Sequence, residues 1–390
     1  MKKIVVLGAG FAGLTLASEL NGLAQSGQAD VVLIDRSLSF AMGFSMQWAL
    51  AGRREFGEGQ KAYAERSAQA VRFVHDDAIQ IDTAGKTVRT RTAVFEYDFL
   101  VIALGAAYAP ERVPGLADAA FNLCDAPSVA VLKEKLDALQ GGTLLIAISS
   151  VPFKCPPAPY EYAFLMDDLL RKRGVRDRVR LVVSTPEPQP MPVAGPVVGA
   201  QVVAWMKEKS IEYWPNHKPV SVDAASKTVR YENGASMSFD LMAAMYPHCA
   251  PDVVRQSGLT DDSGFVPVQL GTFATAISGV YAVGDVASIV LPNGKPHPKA
   301  GIFAEAQAKA IASQIKAKIL GGTAEAYSGR GACFIDVGND QAVAAEADLL
   351  AHGGPRFELS TPSGNGLEGK RRFEQERLQA WFGTGLKKGY

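Results

Sequence analysis

The 390-residue sequence predicts an α/β protein of two Rossmann-like, dinucleotide-binding-type domains followed by a carboxyl-terminal module. Three observations carry that prediction. A complete unit of strand, glycine turn, helix and strand opens the chain between Lys3 and Asp35. A second run of the same rhythm extends from Gly142 to Ser184, and a further buried strand, Gly279 to Asp285, again ends in an acid. Residues 1–115 and 250–318 are expected to form the first domain, 116–249 the second and 319–390 the module, with Gly321 to Ser328 reading as a linker.

The opening unit reads as a nucleotide site. Lys3 to Leu7 is a short β-branched run that leads into Gly8-Ala9-Gly10-Phe11-Ala12-Gly13. A helical stretch follows from Leu14 to Leu20, and a second buried strand closes at Val31 to Asp35. Glycines allow the tight turn and close backbone approach to a pyrophosphate. The helix N-terminus stabilises the negative charge, and Asp35 is placed to accept from a ribose hydroxyl. Arg36 and Ala78 are further candidate contacts.

Two distant segments point to FAD as the nucleotide. Phe99 to Ala106 reads as a buried strand ending in a small-residue turn, with Ala103 and Gly105 at its end, and Gly279 to Asp285 is a second such strand. Both resemble the later FAD fingerprints of two-domain flavoprotein reductases. That resemblance implies that Gly284 and Asp285 hold the ribityl chain, and that the helix opened by Pro298-Lys299-Ala300-Gly301 aims its positive end at the flavin.

The middle of the chain departs from this pattern. After the strand Gly142 to Ile148 comes Ser149-Ser150-Val151-Pro152-Phe153-Lys154-Cys155-Pro156-Pro157, where an NAD(P)H-binding domain would carry its glycine loop. Prolines lack the N–H groups that cradle a phosphate. The next strand, Val179 to Val183, ends at Ser184 without an acid for a ribose. The second domain is therefore expected to have the dinucleotide fold without the dinucleotide.

Composition narrows the function classes. Lys plus Arg and Asp plus Glu number 40 each, so no bulk field draws in nucleic acid. No apolar run reaches the ~18–20 residues that span a bilayer. Met1-Lys2-Lys3 and the apolar stretch after it imitate a signal peptide, but cleavage there would remove the glycine turn, so a cytoplasmic location is expected. The four cysteines (Cys124, Cys155, Cys249 and Cys333) form neither a CxxC pair nor a zinc cluster, and with five scattered histidines no metal site is expected.

Cys155 lies in Lys154-Cys155-Pro156-Pro157-Ala158-Pro159-Tyr160-Glu161, just before a helix expected at Tyr162 to Leu170. Cys333 lies in Gly331-Ala332-Cys333-Phe334. With the Pro298-Lys299-Ala300-Gly301 helix start, these segments resemble the sulfide:quinone reductase and flavocytochrome c sulfide dehydrogenase family, from Lys2 to about Gly383. The resemblance implies that Cys155 and Cys333 face the flavin, bridged by a disulfide or a sulfur chain. It also implies that Cys124 is the third cysteine of many quinone-reducing members and that Glu161, one turn from Cys155, is a proton acceptor. The flavocytochrome branch attaches its flavin through a cysteine where this chain has Met42-Gly43-Phe44, so non-covalent FAD is expected. Cys249, in Pro247-His248-Cys249, reads as a small buried hydrophobe.

The chemistry implied is attack of sulfide on one sulfur of the bridge, leaving a persulfide and a thiolate, with the electrons passing to FAD. Cys124 would accept or release the growing sulfur chain. The expected acceptor is a quinone, for which Phe334 and Phe373 are the aromatic candidates. Arg371 to Phe382 gathers Phe373, Leu378, Trp381 and Phe382 on one helical side, flanked by Lys370, Arg371, Arg372, Lys387 and Lys388. That face suits a peripheral membrane contact, a homodimer or the core equally well. Alternatives are a cytochrome-linked sulfide dehydrogenase, a type II NADH:quinone reductase, and a flavin-binding protein without turnover.

Overall fold

The computed structural model describes residues 1–66 and 69–384. Its first sheet holds five parallel strands in the spatial order Val280–Ala282, Phe99–Ile102, Lys2–Leu7, Ala29–Asp35, Arg72–His75. Lys2–Leu7 lies at the centre, and Ile4, Val6 and Leu7 are wholly buried, as expected for a strand covered on both faces. The helix Phe11–Gln25 begins earlier and ends later than its apolar run suggests, because the glycine turn passes directly into helix at Phe11. The helix Gly301–Leu320 packs against it, and its small side chains Ala304, Ala308 and Ala312, at i, i+4 spacing on one side, are buried.

A second parallel sheet has the order Phe121–Asn122, Leu241–Met245, Gly142–Ile148, Val179–Ser184, Glu212–Trp214. Its central strand ends at Ile148, so the proline-rich turn emerges at the carboxyl edge of the sheet. There ligands of such folds bind. The helix after that turn spans Ala158–Lys172, starting four residues before the expected Tyr162. Prolines are tolerated in a first turn, whose N–H groups have no intrahelical partner.

The carboxyl-terminal residues build an antiparallel sheet of Arg330–Gly338, Gln341–Asp348 and Arg356–Leu359, covered on one face by the helix Gly364–Phe382. Gly366 is needed for that contact, since a Cβ there would stand 1.9 Å from the backbone oxygen of Ala342. Leu378, Trp381 and Phe382 join the core of the first sheet, and Trp381 packs edge-on against Phe11 and Phe40. The apolar face that suited a membrane or a dimer is thus used inside the molecule, and Lys370, expected to flank it at a surface, is 2% exposed. Lys387 and Lys388 lie outside the described residues. Among the described residues no helix is long and apolar enough to cross a membrane.

Candidate active site

The glycine turn has the shape of a phosphate cradle. Gly8 adopts φ +95°, and a Cβ there would stand 2.4 Å from the oxygen of Ala103, which closes the neighbouring strand. A Cβ on Gly13 would stand 1.8 Å from the oxygen of Gly8. At Gly10 a Cβ would meet nothing within 4 Å, and no side chain caps the helix that begins beside it. An uncapped helix end facing open space suits an anion. Asp35 accepts from the amides of Ala9 (2.6 Å) and Ser37 (2.7 Å), which fixes its carboxylate at the strand end. The residues present fit a dinucleotide. Arg36 and Ala78 lie nearby on the Arg72–His75 side: the Arg36 carbonyl is 2.9 Å from His75 Nε2, and Ala78 opens the next strand.

The edge strand stops at Ala282, short of the expected Asp285; Gly284 and Asp285 follow it in a single 3-10 turn, Gly284–Val286, and the Gly284 amide donates to Gln307 Oε1 (2.9 Å) from the helix that opens at Gly301. That helix start too is uncapped, with Ala300 at its N-cap. Two of the expected cofactor contacts also hold parts of the protein together. The Lys299 ammonium donates to the carbonyls of Asp285 (2.6 Å) and Ala287 (2.8 Å) and lies 3.8 Å from the centre of the Phe265 ring. It staples the two segments together; burial lowers it to about 8. Phe11 turns its ring against Gly301, where a Cβ would stand 2.8 Å from ring atoms, so this pair locks two helix starts together.

Cys155 lies where these segments meet. Its amide donates to the carbonyl of Lys299 (2.6 Å), Lys154 bridges to Lys299, and Cys155 itself has φ +55°, a conformation L-residues rarely adopt. Cys333 projects from Arg330–Gly338 into an apolar chamber of about 240 Å³ whose walls include Phe153, Pro156, Pro157, Val198 and Phe303. Each thiol is half-buried and feels the same two charges, Glu161 and Lys370. Burial, then the Glu161 carboxylate, pushes Cys333 up to about 12 while Lys370 opposes. For Cys155 the same causes act in the same directions, with Cys333 adding to the rise. The expected bridge is not formed: all four cysteines are free thiols. Cys249, as expected, is buried.

Glu161, 2% exposed, does not cap its helix. Its Oε1 accepts from Lys370 Nζ (2.5 Å) and from the backbone amide of Asp336 (2.8 Å), and its Oε2 accepts from Gln47 Nε2 (3.2 Å). The Asp336 carboxylate, wholly buried, accepts from Trp48 Nε1 (3.1 Å) and Arg53 Nη1 (2.5 Å). Lys370, Gln47, Asp336 and Arg53 escaped the sequence reading. Lys370 alone left a signal: Gly366 and Gly369, three apart in a helix that glycine weakens, mark a close approach. A Cβ on Gly369 would stand 2.7 Å from the ring of Phe334.

The two acceptor candidates come together. The rings of Phe334 and Phe373 stand 6.2 Å apart, edge to face, and Phe44 lies 6.2 Å from Phe373. The Lys370 ammonium stands 5.0 Å from the Phe44 ring. Successive residues of a strand point to opposite faces, so Cys333 faces the apolar chamber and Phe334 the aromatic cluster. Cys124 is half-buried, its sulfur 3.9 Å from that of Met245, and Cys155 feels its charge.

Residues 129–245 match the family model described as the central part of the sulfide dehydrogenase [flavocytochrome c] flavoprotein chain. Residues 2–147 match that of the pyridine nucleotide-disulphide oxidoreductases. A mitochondrial sulfide:quinone oxidoreductase of Dictyostelium discoideum is 27% identical over 322 residues, 75% of this chain and 66% of that protein. A type II NADH:quinone oxidoreductase of Staphylococcus haemolyticus is 25% identical over 350 residues, 83% of this chain and 84% of that one. The crystal structure of the sulfide:quinone oxidoreductase from Aquifex aeolicus superposes with a TM-score of 0.88 at 24% identity, covering 99% of this chain and 92% of that one.

Proposed function

We propose that this chain, which belongs to the sulfide:quinone reductase and flavocytochrome c sulfide dehydrogenase flavoprotein family, oxidises sulfide at Cys155 and Cys333 and delivers the electrons to a quinone. The observation that carries this reading is the sharing of one buried ion pair, Glu161 with Lys370, by both thiols on one side and the aromatic cluster on the other. The cofactor we assign is FAD, held without a covalent bond by the Gly8–Gly13 turn, Asp35 and the Gly284–Asp285 turn. When bound it supplies a two-electron carrier.

The chain's own residues then have distinct tasks. In the oxidised form of the pair, hydrosulfide attacks one sulfur of the Cys155–Cys333 bond; that bond breaks, one cysteine becomes a persulfide and the other leaves as a thiolate. Lys370 stabilises the anionic sulfur, and Glu161, already an acceptor of three donors, is the station for the proton released. Cys124 takes up or releases the sulfur chain. Phe334, Phe373 and Phe44 supply flat apolar surface for a quinone ring. The first domain is taken as 1–115 with 250–318, the second as 116–249 and the carboxyl-terminal module as 319–390.

Sulfide should bleach the visible absorption of the flavin-loaded protein while NADH should not. Cys155→Ser and Cys333→Ser should each abolish the sulfide response. Full bleaching by sulfide in either variant, or fast bleaching by NADH, would overturn the reading. The flavocytochrome match over residues 129–245 favours a second acceptor, a cytochrome. Reoxidation of the sulfide-reduced protein by a soluble quinone against cytochrome c separates the two.

A further inference from the structure

Lys154, the residue before Cys155, has no role in the scheme above, and its surroundings are unusual for an ammonium. It is drawn into the molecule by the bridge to Lys299 and donates to the hydroxyl of Tyr108 (2.5 Å), over whose ring it lies at 5.0 Å. Among the described residues it forms no ion pair with a carboxylate. A partly buried lysine without a carboxylate partner is costly unless another anion offsets it. The Tyr108 hydroxyl in turn donates to the carbonyl of Cys124 (2.9 Å), so one phenol joins the ammonium to the cysteine.

We propose that Lys154 is the counter-ion of Cys124, the group that holds an anionic sulfur, thiolate or persulfide, on that cysteine. Tyr108 is the joint between them: its strand pairs with His248, whose ring it meets edge-on at 5.3 Å, and the Lys154 amide is 3.4 Å from His248 Nε2. The charged and titratable groups around Cys124 are Lys154, Tyr108, Asp285 and Asp125, with Tyr162 and Cys155 on the helix side. Lys154 is the cation of that set. Burial pushes the Cys124 thiol up to about 11, and Lys154 is the strongest influence pulling it down. Burial alone would lower Lys154, but Cys124, Tyr108 and Asp285 outweigh it and hold the ammonium charged. The step is an ionisation: the sulfur loses its proton to solvent and Lys154 keeps its own.

The proposal rests on the reading of Cys124 as a sulfur carrier, yet its test reads the thiol and not sulfide oxidation, so the two fail separately. The reduced, flavin-loaded protein is treated with iodoacetamide between pH 7.5 and 9.5, and alkylation of the Cys124 peptide is followed by mass spectrometry. The thiolate is the reacting form, so losing one pKa unit of stabilisation in Lys154→Met should slow Cys124 about tenfold at a given pH, whereas Lys154→Arg should stay within about threefold of the parent. The Cys249 peptide in the same digests is the reference, and its rate should not move. Equal Cys124 rates in Lys154→Met and the parent overturn the proposal. So does parallel acceleration of both peptides, the mark of a loosened fold. If Lys154→Met does not retain flavin, Lys154→Gln is read in its place against the same two outcomes.

Discussion

Lys370 Nζ stands 2.5 Å from Glu161 Oε1, and the two residues, 209 positions apart in sequence, are each 2% exposed. Their pairing ties the helix after the cysteine turn to the carboxyl-terminal helix across the strand that carries Cys333. Removing one partner strands the other charge in the interior, at a cost of about 3–5 kcal/mol. Lys370→Met and Glu161→Gln should therefore each lower the unfolding free energy in urea, Lys370→Met by about that amount. The double variant should lose much less than the sum. Additive losses would show that the pair is not coupled.

The glycine turn offers a paired test of steric need. Gly13→Ala places a Cβ 1.8 Å from the Gly8 oxygen. The expected result is a loss of about 1–3 kcal/mol or more and a clear fall in the ratio of flavin to protein absorbance after gel filtration. Gly22→Ala, in the same helix but with nothing within 4 Å of the new carbon, should keep its flavin and gain about 0.5–1 kcal/mol.

Phe373→Ala removes one wall of the aromatic cluster without touching either thiol. The KM for a soluble quinone should rise about three- to tenfold, in line with the ~0.5–1.5 kcal/mol of an aromatic contact. The rate of flavin bleaching by sulfide in stopped flow should be unchanged. A slowed bleaching with an unaltered KM would move Phe373 from the acceptor side to the sulfur side.

Two buried histidines make stability depend on acid. Burial lowers His248 to about 3 and His297 to about 4, and His297 Nε2 sits 2.8 Å from the Tyr327 hydroxyl. The unfolded chain binds protons at these positions near pH 6.5 while the folded chain does not, so stability is fully present above about pH 6.5 and falls on acidification towards the folded values. Each histidine contributes a slope approaching about 1.4 kcal/mol per pH unit in that window. Urea unfolding at pH 7, 6 and 5 should show the slope, and His297→Gln should reduce it. An unchanged slope in the variant would rule out this source.

Legibility in the sequence followed the range of the interaction. The Gly8–Gly13 turn with Asp35 and the proline-rich turn at Cys155 are local patterns, and each lies at a strand's carboxyl end, whereas Asp285 falls in a 3-10 turn three residues past its strand. The carboxyl-terminal helix was legible as amphipathic, but periodicity records which side is apolar and not what covers it. Trp381 and Phe382 are covered by Phe11, Phe40 and Tyr63. Lys370, one turn before Phe373 on that helix, reads as a surface charge until Glu161 is seen opposite it. Lys299 fits a cofactor-binding motif, and the motif did not disclose the two carbonyl oxygens that accept from its ammonium.

By itself the sequence determined the βαβ framework, the glycine turn and the identities of the sulfur-bearing residues, because turns, strands and helix starts are set by the steric and hydrogen-bonding needs of neighbouring residues. Only the tertiary structure decided which distant side chains meet: Glu161 pairs with Lys370 beside both thiols, and the ring of Phe334 stands against that of Phe373. The reason is electrostatic. A charge held out of water must find its opposite at contact distance, and no local spacing encodes where in the chain that partner lies.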